Sequence, residues 1–333
     1  MNDLLAENHE RYLLQRDGMD VILTKESTVI KRAHTEENIK ALRNHWQFLK
    51  ALEGTGFAPK PIRLEGNELE SEYIEKYINP DQTLFHEEYR HNCVRLIFEL
   101  RNRGIRHGDL VHLNYVIRDT TPVVFDWDQS NFVFQNRPQN RPIMDSAHFY
   151  RQLYYQTGDI NRVMRRWLSV REQIDEYRGW GKIVDLGTCF GDFAAIAQSE
   201  LFLATGVDNC QMHSDCLDLA ESRWGKYGCK FINSHIADMD CSEYDIALLF
   251  STWTYIINDR GQEAALRVLK GIMEQVDVLF FETQLHGDSH GVEFLKDDAD
   301  THKMLSNYGI PELLVTIPVT GTNNMRTVWK VTK

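Results

Sequence analysis

The alternation of apolar and polar positions divides the chain into two regions that meet near residue 160. In the first region, short β-branched or aliphatic runs are separated by polar turns, which is the pattern of an antiparallel meander. Helical periodicity follows, because apolar residues recur every three or four positions from Ile39 to Leu52 after a capping Thr35. The runs that predict strands are Tyr12–Gln15, Asp20–Thr24, Thr28–Arg32, Pro61–Glu65 and Glu68–Ile74, and a second helix is predicted over residues 86–103.

The second region alternates apolar strands with helical segments, a pattern typical of a mainly parallel α/β sheet. Its last two strand candidates, Leu313–Ile317 and Arg326–Val331, flank a Gly-Thr-Asn-Asn turn and predict an antiparallel hairpin. We expect this hairpin at one edge of the sheet. The preceding runs that predict buried strands are Lys182–Leu186, Leu203–Val207, Lys230–Ile232, Tyr244–Phe250 and Val278–Glu282.

Four arginines between residues 162 and 171 share a predicted amphipathic helix with Val163, Trp167 and Val170. Its arginine face predicts a solvated helix that links two domains. A chain of 333 residues is long enough for two domains of ordinary size. We therefore predict a first domain over residues 1–157, a basic linker helix over residues 158–176 and a second domain over residues 177–333.

Net charge, the length of the apolar runs and the spacing of the cysteines limit the binding partners and the cellular compartment that we expect. The formal net charge of −12 opposes non-specific binding to a nucleic-acid backbone. The apolar runs are far shorter than the roughly 20 residues that span a bilayer, and the start of the chain lacks the features of a secretory signal. Six dispersed cysteines without a Cys-x-x-Cys pair indicate reduced thiols. We expect a cytoplasmic protein with no transmembrane segment and make no prediction of partner proteins.

Residues 105–128 place two carboxylates and an amide at a spacing used in phosphoryl transfer. Asp109 precedes Asn114 by five positions, and Asp126 follows the apolar run Pro122–Phe125. Phosphoryl transfer needs a group that accepts the substrate's hydroxyl proton and oxygen ligands that hold Mg²⁺ against the phosphates. Lys31, on the third predicted strand, stands where a kinase places the lysine that contacts the phosphates of ATP.

These residues resemble the motifs of atypical small-molecule kinases, in particular aminoglycoside phosphotransferases and lipopolysaccharide Kdo kinases. The resemblance covers about 150 residues and implies a small α+β protein-kinase-like fold. It implies that Asp109 is the catalytic base, that Asn114 and Asp126 bind Mg²⁺ and that Lys31 anchors ATP. It further implies an adenine-binding hinge at Glu72–Ile74 and a brace for the catalytic loop at Asp145.

Two departures from the kinase pattern leave the activity of this domain open. Gly18 is the only glycine near the first strand turn, so a glycine-rich loop over the phosphates is missing. The register of the first helix puts His45 where a kinase has the glutamate that pairs with the lysine, and Glu36 and Glu37 lie two turns earlier. Both an active phosphotransferase and a pseudokinase that only recognises substrate remain as readings.

A glycine turn follows the first strand of the second region and predicts a nucleotide site. Gly187 and Gly191 allow close approach to a ligand that lies across the carboxyl ends of the strands. Asp208 ends the next strand about 20 residues later, where a carboxylate accepts hydrogen bonds from both hydroxyls of a ribose. The Asp-x-Gly-x-x-x-Gly spacing differs from the Gly-x-Gly-x-x-Gly that seats a pyrophosphate, which disfavours the competing dinucleotide interpretation.

This segment resembles motif I of class I S-adenosylmethionine-dependent methyltransferases, and the likeness continues for about 150 residues. The resemblance implies a Rossmann-like α/β fold with a mostly parallel seven-stranded sheet and a C-terminal antiparallel hairpin. It implies that Asp185 faces the positively charged end of adenosylmethionine. The other residues that it places in the cofactor site are Gly187, Gly191, Asp208, His235, Ile236 and Phe250.

The segments after the fourth and fifth strands of such enzymes form the acceptor pocket, which here implies Trp253, Tyr255 and Glu282. Trp253 and Tyr255 fit core aromatics equally well, so both interpretations of these two residues stay open. The first segment lacks the Asn-Pro-Pro-Tyr of DNA amino-methyltransferases, which disfavours base methylation. The pairing of domains resembles bifunctional kinase-methyltransferases that modify surface polysaccharides. This resemblance implies a glycan or another small hydroxylated or phosphorylated acceptor. A methyltransferase with a pseudokinase module and an RNA-modifying methyltransferase remain as alternatives.

Overall fold

The structure is a computed structural model that separates into two compact units, Met1–Gln152 and Leu153–Lys333. This division lies close to the boundary that we predicted at residue 157. Asp145, the predicted brace of the catalytic loop, lies outside the described residues. The structure describes residues 11–16, 18–75, 87–110, 114–127, 130–132, 150, 162–211, 213–285, 292–318 and 324–333.

The first unit contains the predicted antiparallel meander. Among its described residues, the main sheet consists of β1 (Arg11–Arg16), β2 (Met19–Leu23), β3 (Thr28–Ala33), β4 (Pro61–Glu65) and β5 (Glu68–Glu72). Its strand order is β1-β2-β3-β5-β4, and every pair is antiparallel. Lys31 lies on the central strand, where it pairs with Val21 on one side and Leu69 on the other.

Two helices and two small two-stranded sheets complete the described part of this unit. The helices are α1 (Glu36–Ala51) and α2 (Glu87–Asn102). The Thr35 hydroxyl accepts a hydrogen bond from the Asn38 amide and thereby caps α1, as its sequence predicted. Phe48 of α1 stacks on the buried Trp127 ring at 5.8 Å. The short strands are β6 (Ile105–Arg106), which pairs with β9 (Asn131–Phe132), and β7 (Tyr115–Arg118), which pairs with β8 (Thr121–Val124).

The second unit is organised around a seven-stranded sheet in its described residues. The strands are β10 (Lys182–Leu186), β11 (Leu203–Asp208), β12 (Lys230–Asn233), β13 (Ile246–Phe250), β14 (Val278–Glu282), β15 (Ile310–Pro318) and β16 (Met325–Thr332). Their order is β12-β11-β10-β13-β14-β16-β15. The first five are parallel, and β16 runs antiparallel to both of its neighbours.

This strand order positions the site. The chain moves outward from β10 to β12 and then returns to β13 on the other side of β10, so the strand order reverses between β10 and β13. Ligands of open α/β sheets bind at such a switch point, outside the carboxyl ends of the strands. Every residue of the central strands β13 and β14 is buried, and both strands are almost wholly apolar, as is usual for strands of a parallel sheet. The arrangement is that of the class I methyltransferase fold, so the predicted fold of the second unit is confirmed.

One helix of the second unit precedes β10, and the others lie between strands in chain order. They are α3 (Arg162–Arg171), α4 (Asp192–Ser199), α5 (Cys216–Trp224), α6 (Trp253–Arg260), α7 (Gln262–Gln275) and α8 (Asp298–Leu305). None of the helices in the described part of the chain is both long enough and apolar enough to cross a bilayer.

The helix α3 differs from the solvated linker that we predicted. Met164, Trp167 and Val170 are fully buried, and Arg166 and Arg171 are buried as well. Arg171 forms an ion pair with Glu200, a fully buried carboxylate that also accepts a hydrogen bond from the Trp167 indole at 3.1 Å. The arginine face therefore packs within the second unit, where it neutralises buried carboxylates.

Candidate functional site

In the first unit, the predicted catalytic residues form two contacting pairs. Asn114 is buried, and its side-chain amide donates to the backbone carbonyl of Asp109 at 2.8 Å and to its carboxylate at 2.9 Å. Lys31 Nζ lies 3.8 Å from Asp126 Oδ1. The tertiary structure thus joins each residue to a partner that the kinase resemblance placed in the same site.

The backbone around these residues links the catalytic loop to the strand that precedes Asp126. The Phe125 amide donates to the Asn114 carbonyl at 2.9 Å. The His107 ring accepts a hydrogen bond from the Asp109 amide at Nδ1, so Nε2 is the atom that donates to the Phe125 carbonyl at 3.0 Å. Asp126 has a φ of +65°, a left-handed conformation that non-glycine residues adopt rarely and often at functional sites.

This arrangement fits a magnesium nucleotide. The Asp126 side chain is about half exposed and offers carboxylate oxygens, and the Asn114 side chain keeps an amide oxygen for a metal while its nitrogen contacts Asp109. Lys31 would hold the phosphates. The expected hinge begins at the end of β5, where the amides of Glu72 and Tyr73 donate to the carbonyls of Lys60 and Ser27, and its role stays a prediction.

The contact expected between Lys31 and a glutamate of α1 is made by a histidine. His45 is buried, and its Nδ1 lies 3.4 Å from Lys31 Nζ. Glu36 and Glu37 are exposed at the first turn of α1. The helix register read from the sequence therefore agrees with the structure, and this unit departs from the usual lysine–glutamate pair of kinases.

In the second unit, the glycine turn after β10 is built for close packing. Gly187 and Gly191 have φ values of +84° and +80°, which disfavour other residues. A Cβ at Gly187 would meet the Thr252 hydroxyl at 2.2 Å, and one at Gly191 would meet the Phe231 ring at 2.7 Å. These glycines let the turn lie tightly against the ends of β12 and β13.

The Asp208 carboxylate is oriented by the turns on either side of it. Its Oδ2 accepts a hydrogen bond from the Cys189 amide at 2.9 Å, and its Oδ1 accepts one from the Cys210 amide at 2.8 Å. Each oxygen keeps a second lone pair. The carboxylate can therefore accept two further hydrogen bonds from a ligand with adjacent hydroxyls.

A cavity of about 480 Å³ opens at the carboxyl ends of β10, β11 and β13. This size lies within the range of about 300–1,000 Å³ that is typical of small-molecule sites. The lining fits a nucleoside, because the Asp208 carboxylate and the apolar side chains of Ile236 and Phe250 face the same space. The lining residues that we predicted from the sequence are Gly187, Asp208, His235, Ile236, Phe250 and Tyr255.

Asp185 does not face this cavity, which corrects the expectation that it contacts the cofactor's positive charge. It is a strand residue with 3% exposure, and its carboxylate accepts a hydrogen bond from the Thr188 hydroxyl at 2.6 Å. Burial raises the pKa of the Asp185 carboxyl to about 7, and the nearby Asp208 and Asp192 act in the same direction. Asp185 is a positioning residue that holds the glycine turn from behind.

Trp253 and Glu282 do not line the acceptor end, which corrects two further expectations. The Trp253 ring is fully buried between Phe281 and Phe294, and its indole donates to the Ala265 carbonyl at 3.2 Å. Glu282 is also fully buried, and it forms ion pairs with Arg166 and Arg326. Burial inside the sheet and helix core keeps both side chains from the ligand space.

The structure brings residues to the Tyr255 end of the cavity that sequence reasoning did not single out. Ser251, Arg326 and Gln284 line the cavity beside Tyr255. Ser251 has a φ of +59°, and its hydroxyl donates to Glu282 at 2.7 Å and accepts from Arg326 at 2.8 Å. The available signal was Glu282 itself, because a carboxylate that ends an apolar buried strand requires a cationic partner.

Comparison with known families supports the assignment of the first unit. The RIO domain family model, RIO1, matches residues 21–146, which is less than half of the chain. RIO domains are atypical kinases, and the first unit contains such a kinase-like domain. Together with the strand order of the second unit, this match confirms the predicted combination of a kinase-like domain and a methyltransferase fold. A search of curated proteins finds no significant match.

Solved structures with partial similarity include the bifunctional kinase-methyltransferase WbdD, at 15% identity and a TM-score of 0.43 over 51% of this chain and 38% of that one. The chain thus spans well under two thirds of that relative's length. A didemethyltoxoflavin N1-methyltransferase from Burkholderia thailandensis has 15% identity and a TM-score of 0.42 over 57% and 84% of the two chains. A putative RNA methyltransferase from Pyrococcus horikoshii has 13% identity and a TM-score of 0.37 over 52% and 84%.

Proposed function

We propose that this protein is an S-adenosylmethionine-dependent methyltransferase with a fused kinase-like domain that transfers phosphate from ATP. Its acceptor is a saccharide or another small hydroxylated or phosphorylated molecule. The observation that carries the methyltransferase proposal is the Asp208 carboxylate, which backbone amides orient at the edge of a cavity beside the glycine turn. A ribose with two adjacent hydroxyls satisfies the remaining lone pairs of that carboxylate.

The other end of the cavity supports an anionic acceptor. Arg166 and Arg326 both pair with the buried Glu282, and the Arg326 side chain also lines the ligand space. Gln284 is 3% exposed, lines the cavity, and its Oε1 atom has no hydrogen-bond partner in the described part of the chain. A phosphate or carboxylate on the acceptor would pair with Arg326, and a hydroxyl would donate to Gln284.

Adenosylmethionine, when bound, supplies an electrophilic methyl group on a sulfonium. The chain's contribution is alignment, because a displacement of this kind depends on the approach of the acceptor along one direction. Asp208 would hold the ribose, Phe250 and Ile236 would pack on the nucleoside, and Tyr255 with Arg326 would orient the acceptor. The restriction of acceptor motion, rather than a strong base, accounts for the catalysis that we propose.

The phosphotransferase proposal for the first unit is supported by the two residue pairs. Asp109 would accept the proton of the acceptor hydroxyl, with its carboxylate oriented by Asn114. Asp126 and Asn114 would bind Mg²⁺, and Lys31 would contact the nucleotide phosphates. His45 in place of a glutamate favours a second candidate function, in which this unit recognises substrate without transferring phosphate.

Calorimetry with adenosylmethionine and S-adenosylhomocysteine tests the methyltransferase proposal. We expect one site per chain and a loss of affinity of about tenfold or more in Asp208→Asn, because the ribose loses a charge-assisted acceptor worth about 1.5–3 kcal/mol. Asp277→Asn is the matched control, since Asp277 is an exposed aspartate at the opposite, amino end of the sheet. No heat of association with the folded native chain would refute the proposal.

A further inference from the structure

Three potential metal ligands converge at the ribose end of the cavity. The Asp208 carboxylate and the Cys210 and Cys216 thiols have ligand atoms that all lie within 4.8 Å of one another. The Cys216 thiol lies 3.5 Å from the Cys210 sulfur. This cluster is made by the loop between β11 and α5, and none of the functional roles derived above uses the two thiols.

The local fold explains why these side chains meet. Cys210 has a φ of +56°, and its amide donates to Asp208 at 2.8 Å, so the chain turns back toward the carboxylate directly after β11. Cys216 is the first residue of α5, where the loop returns to the sheet edge. Two cysteines six positions apart thereby come to face one carboxylate.

The distances suit a bound ion better than a disulfide. Two thiolate sulfurs at about 2.3 Å from a tetrahedral zinc lie about 3.8 Å apart. A disulfide requires a sulfur–sulfur distance of about 2.05 Å, so the thiols would have to approach by well over an ångström. The separation of 3.5 Å between the sulfurs is therefore within a few tenths of an ångström of the spacing that two thiolates take on one ion.

Access to the cluster comes from the cavity. Asp208 and Cys216 line the cavity, as does His213 from the same loop. An ion that enters the cavity first meets the Asp208 carboxylate and the Cys216 sulfur, and the Cys210 sulfur lies directly behind them, 3.5 Å from the Cys216 sulfur. Thiolate, imidazole and carboxylate ligands are those that zinc binds in proteins.

We infer that Asp208, Cys210 and Cys216 form a site for Zn²⁺ or a similar thiophilic divalent ion, and that occupancy of this site excludes the cofactor's ribose. The second statement rests on the proposed function, because Asp208 is the group that both ligands need. Binding releases the thiol protons to solvent as two metal–sulfur bonds form. Cofactor and metal then compete, and each weakens the other's affinity by the same factor.

The test begins with reduced, metal-free protein in the absence of adenosylmethionine. Calorimetric titration with Zn²⁺ is expected to give one ion per chain, and titration with Co²⁺ is expected to give a thiolate-to-cobalt charge-transfer band. We expect Cys210→Ser and Cys216→Ser each to weaken Zn²⁺ binding about tenfold or more, because each removes a thiolate ligand. Cys241→Ser is the control, since Cys241 is a buried cysteine of the same unit outside the cluster.

The outcomes separate this inference from the proposed methyltransferase function. Absence of stoichiometric Zn²⁺ binding, or binding that both cysteine substitutions leave unchanged, would overturn the metal site whatever the cofactor result. The cobalt spectrum of the native chain decides the matter if a variant fails to fold. Zn²⁺ binding that leaves adenosylmethionine affinity unaltered would overturn the exclusion, whereas failure of the native metal-free chain to bind adenosylmethionine would refute the proposed function alone.

Discussion

Lys31 of β3 and His45 of α1 are in contact, with 3.4 Å between Lys31 Nζ and His45 Nδ1. Protein kinases hold the corresponding lysine with a glutamate, whose charge orients the ammonium toward the nucleotide phosphates. A neutral imidazole accepts a hydrogen bond from the ammonium but contributes no opposite charge. Lys31 also lies 3.8 Å from Asp126, so its carboxylate contact is with the proposed metal ligand.

Replacement of His45 by glutamate should strengthen Mg-ATP binding. A charged acceptor holds an ammonium about twice as strongly as a neutral one, and a gain of about 1 kcal/mol corresponds to roughly fivefold in affinity. Calorimetry with a non-hydrolysable ATP analogue and Mg²⁺ measures the change. His45→Gln is the control because it supplies a neutral acceptor. Equal affinities of the two variants would argue against this role for the contact.

The Asp126→Asn variant distinguishes a phosphotransferase from a recognition module. Asparagine tolerates the left-handed backbone of this position, so the substitution removes the charge with little strain. For an active enzyme we expect loss of Mg-ATP-dependent thermal stabilisation and a fall in ATP turnover of about 100-fold or more. Asp119→Asn, at another left-handed and exposed aspartate, should retain both properties. Turnover that is insensitive to Asp126→Asn would exclude the active kinase.

Asp185 makes the stability of the second unit depend on pH. Its pKa of about 7 lies above the ordinary value of 3.8, so between these values the folded chain keeps a proton that the unfolded chain has released. The contribution to stability is therefore greatest at low pH and is lost as the pH rises toward 7.

An asparagine at this position still accepts the Thr188 hydrogen bond but does not ionise. The free energy of unfolding of Asp185→Asn should therefore exceed that of the native chain by an amount that grows with pH. We expect this difference to increase by about 2–3 kcal/mol as the pH rises from 5 to 8. Chemical denaturation at several pH values measures the difference. Asp277→Asn, at an exposed aspartate, should show no such gain. Parallel pH profiles for Asp185→Asn and the native chain would contradict the assignment of a buried, protonated carboxyl.

Glu282 is required for the stability of the acceptor end. Glu282→Gln would leave Arg166 and Arg326 without their buried carboxylate, which costs about 3–5 kcal/mol in comparable pairs. Denaturation followed by circular dichroism gives the change in the free energy of unfolding. Glu274→Gln breaks an exposed pair with Lys270 and should cost less than about 1 kcal/mol. Similar losses in both variants would show that the buried ion pairs of Glu282 stabilise the fold no more than an exposed pair does.

The position of Arg326 in the cavity lining predicts a preference among acceptors. We expect a sugar phosphate to bind the second unit more tightly than the same sugar without phosphate, and we expect the preference to weaken as salt rises. Calorimetry with matched pairs, in the presence of S-adenosylhomocysteine, measures it. Equal binding of both members of each pair would contradict an anionic acceptor.

The order of elements and most of the candidate chemistry were readable from the sequence. Periodicity of 2 and 3.6 predicted the strands and helices of both units, because alternation and helical spacing directly report which side of an element is buried. The spacing of Asp109 and Asn114 predicted that they share one loop, and their side chains are in contact. The spacing of Gly187 and Asp208 predicted that they follow adjacent strands, and both line one cavity. The position of His45 opposite Lys31 followed in the same way from helix register.

Tertiary structure alone decided which predicted side chains reach the ligand space. Trp253, Asp185 and Glu282 lie in segments that border the site, but each is buried behind it. Arg166 pairs with Glu282, which lies 116 positions later in the chain. A local pattern of charge and hydrophobicity cannot identify a partner at that separation. A sequence determines which residues must be buried or charged, whereas the close packing of the folded chain determines what each one touches.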